Sequence, residues 1–178
     1  MLLTALSIGL FAAAQQAAPA TSSSNDQSNE KQRDAKVPER VDEIKKELFS
    51  GKVVLLQEAL KRRGVKSFEE FKSQVVLETE AGELIPIVPD WRGRAFFQDD
   101  RLRDRRVDLV GTRQKAAPYL QVLMIFVFDD KGTRQFMDYW CDVCSIAMYE
   151  IKPCDCCQEA IRLRLQPQGL PTFVKPKP

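Results

Sequence analysis

Four cysteines near the C-terminus constrain this chain more than any other feature. Cys141 and Cys144 enclose Asp142 and Val143, and after nine intervening residues Cys154 and Cys157 enclose Asp155 and Cys156. Two Cys-x-x-Cys pairs separated by a short loop fit one tetrahedral thiolate site, because each pair can close a tight turn whose sulfurs point the same way. Two such turns face to face complete four Zn–S bonds of roughly 2.3 Å. The stretch 139–166 is too short to bury a core of its own, and a metal can supply the missing stability. Histidine is absent from the chain. That removes imidazole ligands as well as Ser-His-Asp and Cys-His arrangements. The expected ligands of a Zn²⁺ ion are therefore Cys141, Cys144, Cys154 and Cys157. A closed four-sulfur shell leaves no position for a reacting water, so the zinc is expected to be structural and the protein non-enzymatic.

The same spacing admits a second chemistry. Cys-x-x-Cys is also the redox spacing, and five cysteines leave Cys156 over in either scheme. A thiol–disulfide or metal-handling protein using these cysteines is the alternative. Against it, Asp142 and Asp155 sit inside the pairs, and acidic neighbours raise a thiol's pKa rather than activating it. Pro153 stiffens entry into the second turn, as in a zinc knuckle. A small residue, often glycine, usually follows a knuckle's second cysteine; here Gln158 does. Lys152, Arg162 and Arg164 are near enough in sequence to offset the negative charge of four thiolates on one zinc. Cys156 is expected to pack as a small apolar residue, with replacement of Cys157 as a ligand left open. Tyr139 and Trp140 are expected to cover the site.

Net charge is +2, which gives no bulk electrostatic pull toward nucleic acid or anionic membrane. A hydrophobic share of 44% and a charged share of 29% are those of a soluble globular chain. Residues 2–14 form an uncharged apolar run ahead of small residues with Ala-x-Ala spacing, so residues 1–20 read as a secretory signal peptide without a basic leader. The run is shorter than the ~20 residues a spanning helix needs. The expected address is export, to a periplasm or outside the cell, with no stable membrane span after cleavage. Residues 21–36 are polar and form a disordered tether.

Residues 37–138 carry the pattern of a small β domain. Pro38 opens a short helical pattern through Val41, Ile44, Leu48 and Phe49 that Gly51 ends, and a first strand follows over 51–56. Helical pieces are expected over 58–63 and 67–71. Strands over 74–79 and 83–88 flank Ala81 and Gly82 as a hairpin, with Pro86 marking an edge or bulge. A short helix over 95–103, strands over 106–111, 119–128 and 133–139, and a late strand over 161–165 complete the pattern. This order predicts a mainly β (α+β) fold: a small antiparallel barrel of the oligonucleotide/oligosaccharide-binding (OB) type with a short helical insertion. A zinc-ribbon-like appendage over 139–166 and a flexible tail over 167–178 follow it.

The segment 138–144, with Tyr139-Trp140-Cys141-Asp142 and Cys144, resembles a family of exported bacterial proteins of unassigned function. Lys152-Pro153-Cys154, Cys156 and Cys157 match that family's second signature, and Gly93 to Phe97, Arg101-Leu102 and Pro118 to Val122 are also similar. The likeness covers roughly 51–165. It implies export and a cysteine-based site, and it implies no activity.

Trp91, Arg92 and Arg94 lie in an arginine-dense stretch with Phe96 and Phe97. They form a possible ligand surface for a polyanionic or sugar-like envelope ligand, through charge plus stacking. Asp99, Asp100, Asp104 and Asp108 interleave with the arginines, which argues against a nucleic-acid stripe, as does an exported address. The expected partner is an envelope protein or an anionic ligand, and oligonucleotide binding by the barrel is the remaining alternative. Glu78, Glu80 and Glu83 cluster at the hairpin as solvated carboxylates. The expected role is a binding or assembly module.

Overall fold

The computed structural model describes residues 45–114 and 117–174. The expected signal peptide, the tether and residues 175–178 lie outside them. Eight strands build one antiparallel sheet: β1 (Lys46–Leu55), β2 (Val75–Thr79), β3 (Leu84–Pro86), β4 (Arg106–Arg113), β5 (Leu120–Phe128), β6 (Arg134–Cys141), β7 (Ile146–Met148) and β8 (Arg162–Pro167). Their order is β3-β2-β1-β4-β5-β6-β7, with β8 added to β6. Helix α1 (Leu56–Arg62) and a 3-10 turn at Glu69–Phe71 fill the β1–β2 connection. Helix α2 (Arg94–Gln98) and a turn at Asp100–Leu102 precede β4. Among the described residues, no helix is long and apolar enough to cross a membrane.

Alternation decides which face each strand buries. Val53, Val75 and Leu77 point into the main core, while Val54 and Val76 point to the opposite face and pack with Ala59 of α1. The main core continues through Phe96, Leu109, Ile125 and Met137 to Tyr139. On the outer face, Val110 and Phe126 are covered by Val174, so part of the stretch expected to be a flexible tail contributes a buried residue. Strand β1 changes partner along its length, pairing β4 over 46–52 and β2 over 51–55. Gly51 sits at the crossover, where a Cβ would meet the Glu78 carbonyl oxygen at 2.3 Å. Any side chain there would push the two strands apart.

Two expectations need correction. The helix expected from Pro38 to Gly51 is strand β1 over its described part, because Leu48 and Phe49 pair with Val110 and Leu109 of β4. The cross-strand ladder outweighs a helical spacing of apolar residues that has no helix to pack against. The expected closed barrel is also not formed: the sheet is open. Among the described residues its two sides touch through an isolated parallel bridge between Ile87 and Leu120, reinforced by the Val88 N–H donating to the Leu120 carbonyl (3.0 Å). Strand β3 is three residues long and ends at Pro86, which lacks an N–H, so it cannot carry a closing ladder.

Strand β6 delivers the chain to the cysteines. One edge pairs β5 over 134–136 and then β7 over 139–141, while the other pairs β8 over 135–140. Thus β7 occupies the edge that β5 leaves. Strand β7 has no counterpart among the elements expected from sequence.

Candidate metal centre

The first cysteine turn is the β6–β7 hairpin loop. Cys141 pairs with Ile146, so Asp142 to Ser145 must reverse the chain. The Ser145 N–H donates to the Cys141 carbonyl (2.9 Å), and the Cys144 N–H donates to Cys141 Sγ (3.4 Å). Ser145 takes a positive φ of 55° to do this. The second turn lies between β7 and β8. There the Gln158 N–H donates to the Cys154 carbonyl (2.9 Å), the Cys154 N–H donates to the Glu159 carbonyl (2.9 Å), and Gln158 has φ of 63°. Gln158 therefore adopts the left-handed backbone that glycine usually supplies after a knuckle.

The two turns bring four sulfurs together. The Sγ atoms of Cys141, Cys144, Cys154 and Cys157 all lie within 4.8 Å of one another, the Cys141–Cys157 pair at 3.4 Å. Four sulfurs held at roughly 2.3 Å from a common centre in a tetrahedron stand about 3.8 Å apart. The cluster thus has the dimensions of a tetrathiolate cage, whereas disulfide sulfurs approach to about 2.05 Å. All five cysteines are free thiols. Cys141 and Cys154 are fully buried in the main core, and Cys144 and Cys157 pack against it. The four residues expected as ligands are the four that converge. Cys156 is exposed rather than packed as an apolar residue. A group with this donor set can hold a metal ion, and the soft sulfur set suits zinc.

Backbone donors and burial divide the four thiols. The N–H groups of Cys157 and Cys156 pull the Cys154 thiol down to about 7 against the effect of burial. At Cys141 the Cys144 N–H also pulls down, but burial and the Cys157 and Cys154 thiols outweigh it and the net shift is upward. The Cys156 and Cys157 thiols, then burial, push Cys144 well up.

The nearby cations neutralise acids rather than sulfur. Arg162 forks onto the Asp142 carboxylate (2.8 and 2.9 Å), and Lys152 pairs with Asp155 (3.0 Å) and Glu150 (3.2 Å). Arg164 forks onto buried Asp138 and lies 3.5 Å from the centre of the Trp140 ring. Tyr139 is buried, and its hydroxyl donates to Asp99 (2.5 Å). Helix α2 holds the second turn in place: Arg94 pairs with Glu150 (2.9 Å), and Gln98 accepts from the Ile151 N–H (2.9 Å).

The residues expected to form a ligand surface divide. Arg94 is engaged by Glu150. Trp91 is half exposed and meets Tyr149 edge-on at 5.3 Å. The Arg92 guanidinium lies 4.9 Å from the Trp91 ring and 4.8 Å from the Tyr149 ring, and its buried Nε has no hydrogen-bond partner among the described residues. Sequence reasoning missed Tyr149 and Ser145. Tyr149 carries no local signal, but Ser145 holds in the first turn the place that Gln158 holds in the second, which repeat alignment of the two pairs would reveal.

Comparison with protein-family models, with curated proteins and with solved structures yields no match for this chain.

Proposed function

We propose that the chain is an exported, non-catalytic binding or assembly module whose sheet is locked at one end by a structural zinc site of four cysteines. The observation that carries this reading is the convergence of four thiols from two turns of the same hydrogen-bonded form. Two fully buried ligands and no histidine suit a closed shell that stabilises and does not react. The zinc ribbon would comprise β6, β7, β8 and both turns, behind a signal peptide over 1–20 and a tether over 21–36. The strand order and the Ile87–Leu120 bridge support an OB-like arrangement of strands left open beyond that one contact. Arg92, between Trp91 and Tyr149, is the proposed contact for an anionic envelope ligand or partner.

The thiol-exchange alternative draws support from the lowered Cys154 thiol. Its burial counts against that role, since an attacking sulfur must reach its substrate. Elemental analysis and thiol counting on protein isolated without reductant separate the two. Structural zinc gives about one ion per chain and free thiols that become reactive on chelation. A metal-free chain whose cysteines are joined in reducible pairs refutes the zinc reading.

A further inference from the structure

Between β1 and β2 the chain makes an excursion over residues 56–74. Its neck is closed by the Leu56 N–H donating to the Gln74 carbonyl (2.8 Å), and α1 fixes its base through Ala59, buried against Val54 and Val76. From 61 to 73 no residue is buried. Val65, Phe68 and Phe71 stand out at 51%, 71% and 38% exposure, the two phenylalanines touching edge-on at 5.9 Å. The tip is not a loose loop. The N–H groups of Gly64, Val65, Phe71 and Lys72 donate to the carbonyls of Lys61, Leu60, Phe68 and Glu69 at 3.0–3.1 Å, and Gly64 makes the turn with φ of 70°. A backbone satisfied in this way holds Phe68 and Val65 toward solvent, with Phe71 partly exposed beside them.

Charge surrounds them. Lys61, Arg62, Arg63, Lys66 and Lys72 lie within the excursion against Glu58, Glu69 and Glu70. Arg62 and Arg63 share Glu78, and Lys72 meets Glu69, while Lys61 and Lys66 make no ion pair among the described residues. Lysine is depleted from the centres of protein–protein interfaces, because its charge is costly to strip of water. At a bilayer its stem lies along the apolar boundary and its ammonium stays among the headgroups. We infer that this excursion docks the protein on an anionic lipid surface, with Val65, Phe68 and Phe71 entering the acyl boundary and Lys61 and Lys66 contacting lipid phosphate. The element is separate from the cysteine turns and does not depend on the proposed metal.

Flotation of the full chain with phosphatidylcholine vesicles, with and without phosphatidylglycerol, tests this. Binding is expected with the anionic vesicles and to fall with added salt. Phe68→Ser and Phe71→Ser should each weaken it about tenfold, and Lys61→Gln or Lys66→Gln about fivefold. Residues 2–14 are common to every variant, so the differences report on the excursion alone. A Phe68→Trp chain gives a second reading: its added emission should shift to shorter wavelength on anionic vesicles and be quenched by brominated acyl chains. Unchanged binding in the serine variants, or an added tryptophan emission indifferent to lipid, overturns the inference. Concentration-dependent self-association abolished by Phe68→Ser overturns it as well, by assigning the patch to protein–protein contact.

Discussion

Ser145 and Gln158 occupy equivalent places in the two cysteine turns. Each follows the second cysteine of its pair, each has a positive φ (55° and 63°), and each donates its N–H to the carbonyl of the first cysteine at 2.9 Å. The centre is thus built twice from one local solution, once in a strand hairpin and once in a loop between strands.

That solution carries a conformational cost. A residue with a Cβ loses roughly 1–2 kcal/mol in the left-handed region, and glycine returns about 0.5–1 kcal/mol of this to unfolded-chain entropy. Ser145→Gly and Gln158→Gly should therefore each stabilise the protein by about 0.5–1 kcal/mol, read as a higher urea midpoint at unchanged metal content. Gln158→Val, branched at Cβ, should lower the midpoint.

Substituting the cysteines one at a time separates ligands from bystander. A structural zinc ion held by this cluster would contribute ~10–16 kcal/mol, so each of four ligands would carry on the order of 3 kcal/mol. Cys154→Ser and Cys141→Ser, at buried positions, should lower metal content and the denaturation midpoint together. Cys156→Ser should retain metal, since that thiol is exposed and outside the cluster. Metal content per chain, with thermal denaturation before and after chelation, checks both outcomes.

What sequence reveals here follows from how local each determinant is. The four-thiol cluster is legible because Cys-x-x-Cys spacing fixes two sulfurs within one turn, whatever the rest of the chain does. Strand β5 is legible from the apolar run over 122–128, and the hairpin from Ala81-Gly82 between alternating segments. The first half of β1 is not, because Leu48 and Phe49 suit a helix until β4, some sixty residues away, offers a ladder. Barrel closure is remote too, since it depends on how far the chain beyond Pro86 pairs with β5, and the Ile87–Leu120 bridge is not extended into a ladder. Arg94 looks free in the sequence because its partner, Glu150, is brought near only by the fold.

Two arginines on β8, with one residue between them, should behave very differently. Arg164 forks onto Asp138, which is 1% exposed, and covers Trp140. Arg164→Ala leaves a buried carboxylate unpaired and should destabilise by about 3–5 kcal/mol. Arg162 forks onto Asp142 with both side chains more than half exposed, where water screens the pair, so Arg162→Ala should barely move the midpoint. Equal midpoint shifts for the two would mean that burial does not set the strength of these pairs. Trp140 fluorescence should respond to the Arg164 change alone.

The buried bond between Tyr139 and Asp99 contributes to the protein's response to acid. Burial alone would raise the Asp99 carboxyl, but the Arg101 guanidinium, the Tyr139 hydroxyl and the Arg101 N–H all bond to its charged form, and the net shift is downward. A carboxyl lower in the folded than in the unfolded state binds fewer protons when folded. Its contribution is therefore complete above the unfolded value of about 4 and disappears as pH falls from there through the folded value. Tyr139 moves oppositely: burial first, then the Asp99 carboxylate, raise its hydroxyl, so it stays protonated in the fold and its contribution is lost only above about 10, where the unfolded tyrosine ionises. Tyr139→Phe leaves Asp99 with Arg101 alone and should cost about 1–3 kcal/mol near neutral pH. Because part of the downward shift goes with the hydroxyl, the difference between wild type and Tyr139→Phe should shrink below about pH 4, where protonated Asp99 no longer rewards the bond. Denaturant midpoints measured for both proteins from about pH 3 to 7 should converge at the acid end, and a gap that stays constant across that range would show that the hydroxyl bonds Asp99 equally well in either protonation state.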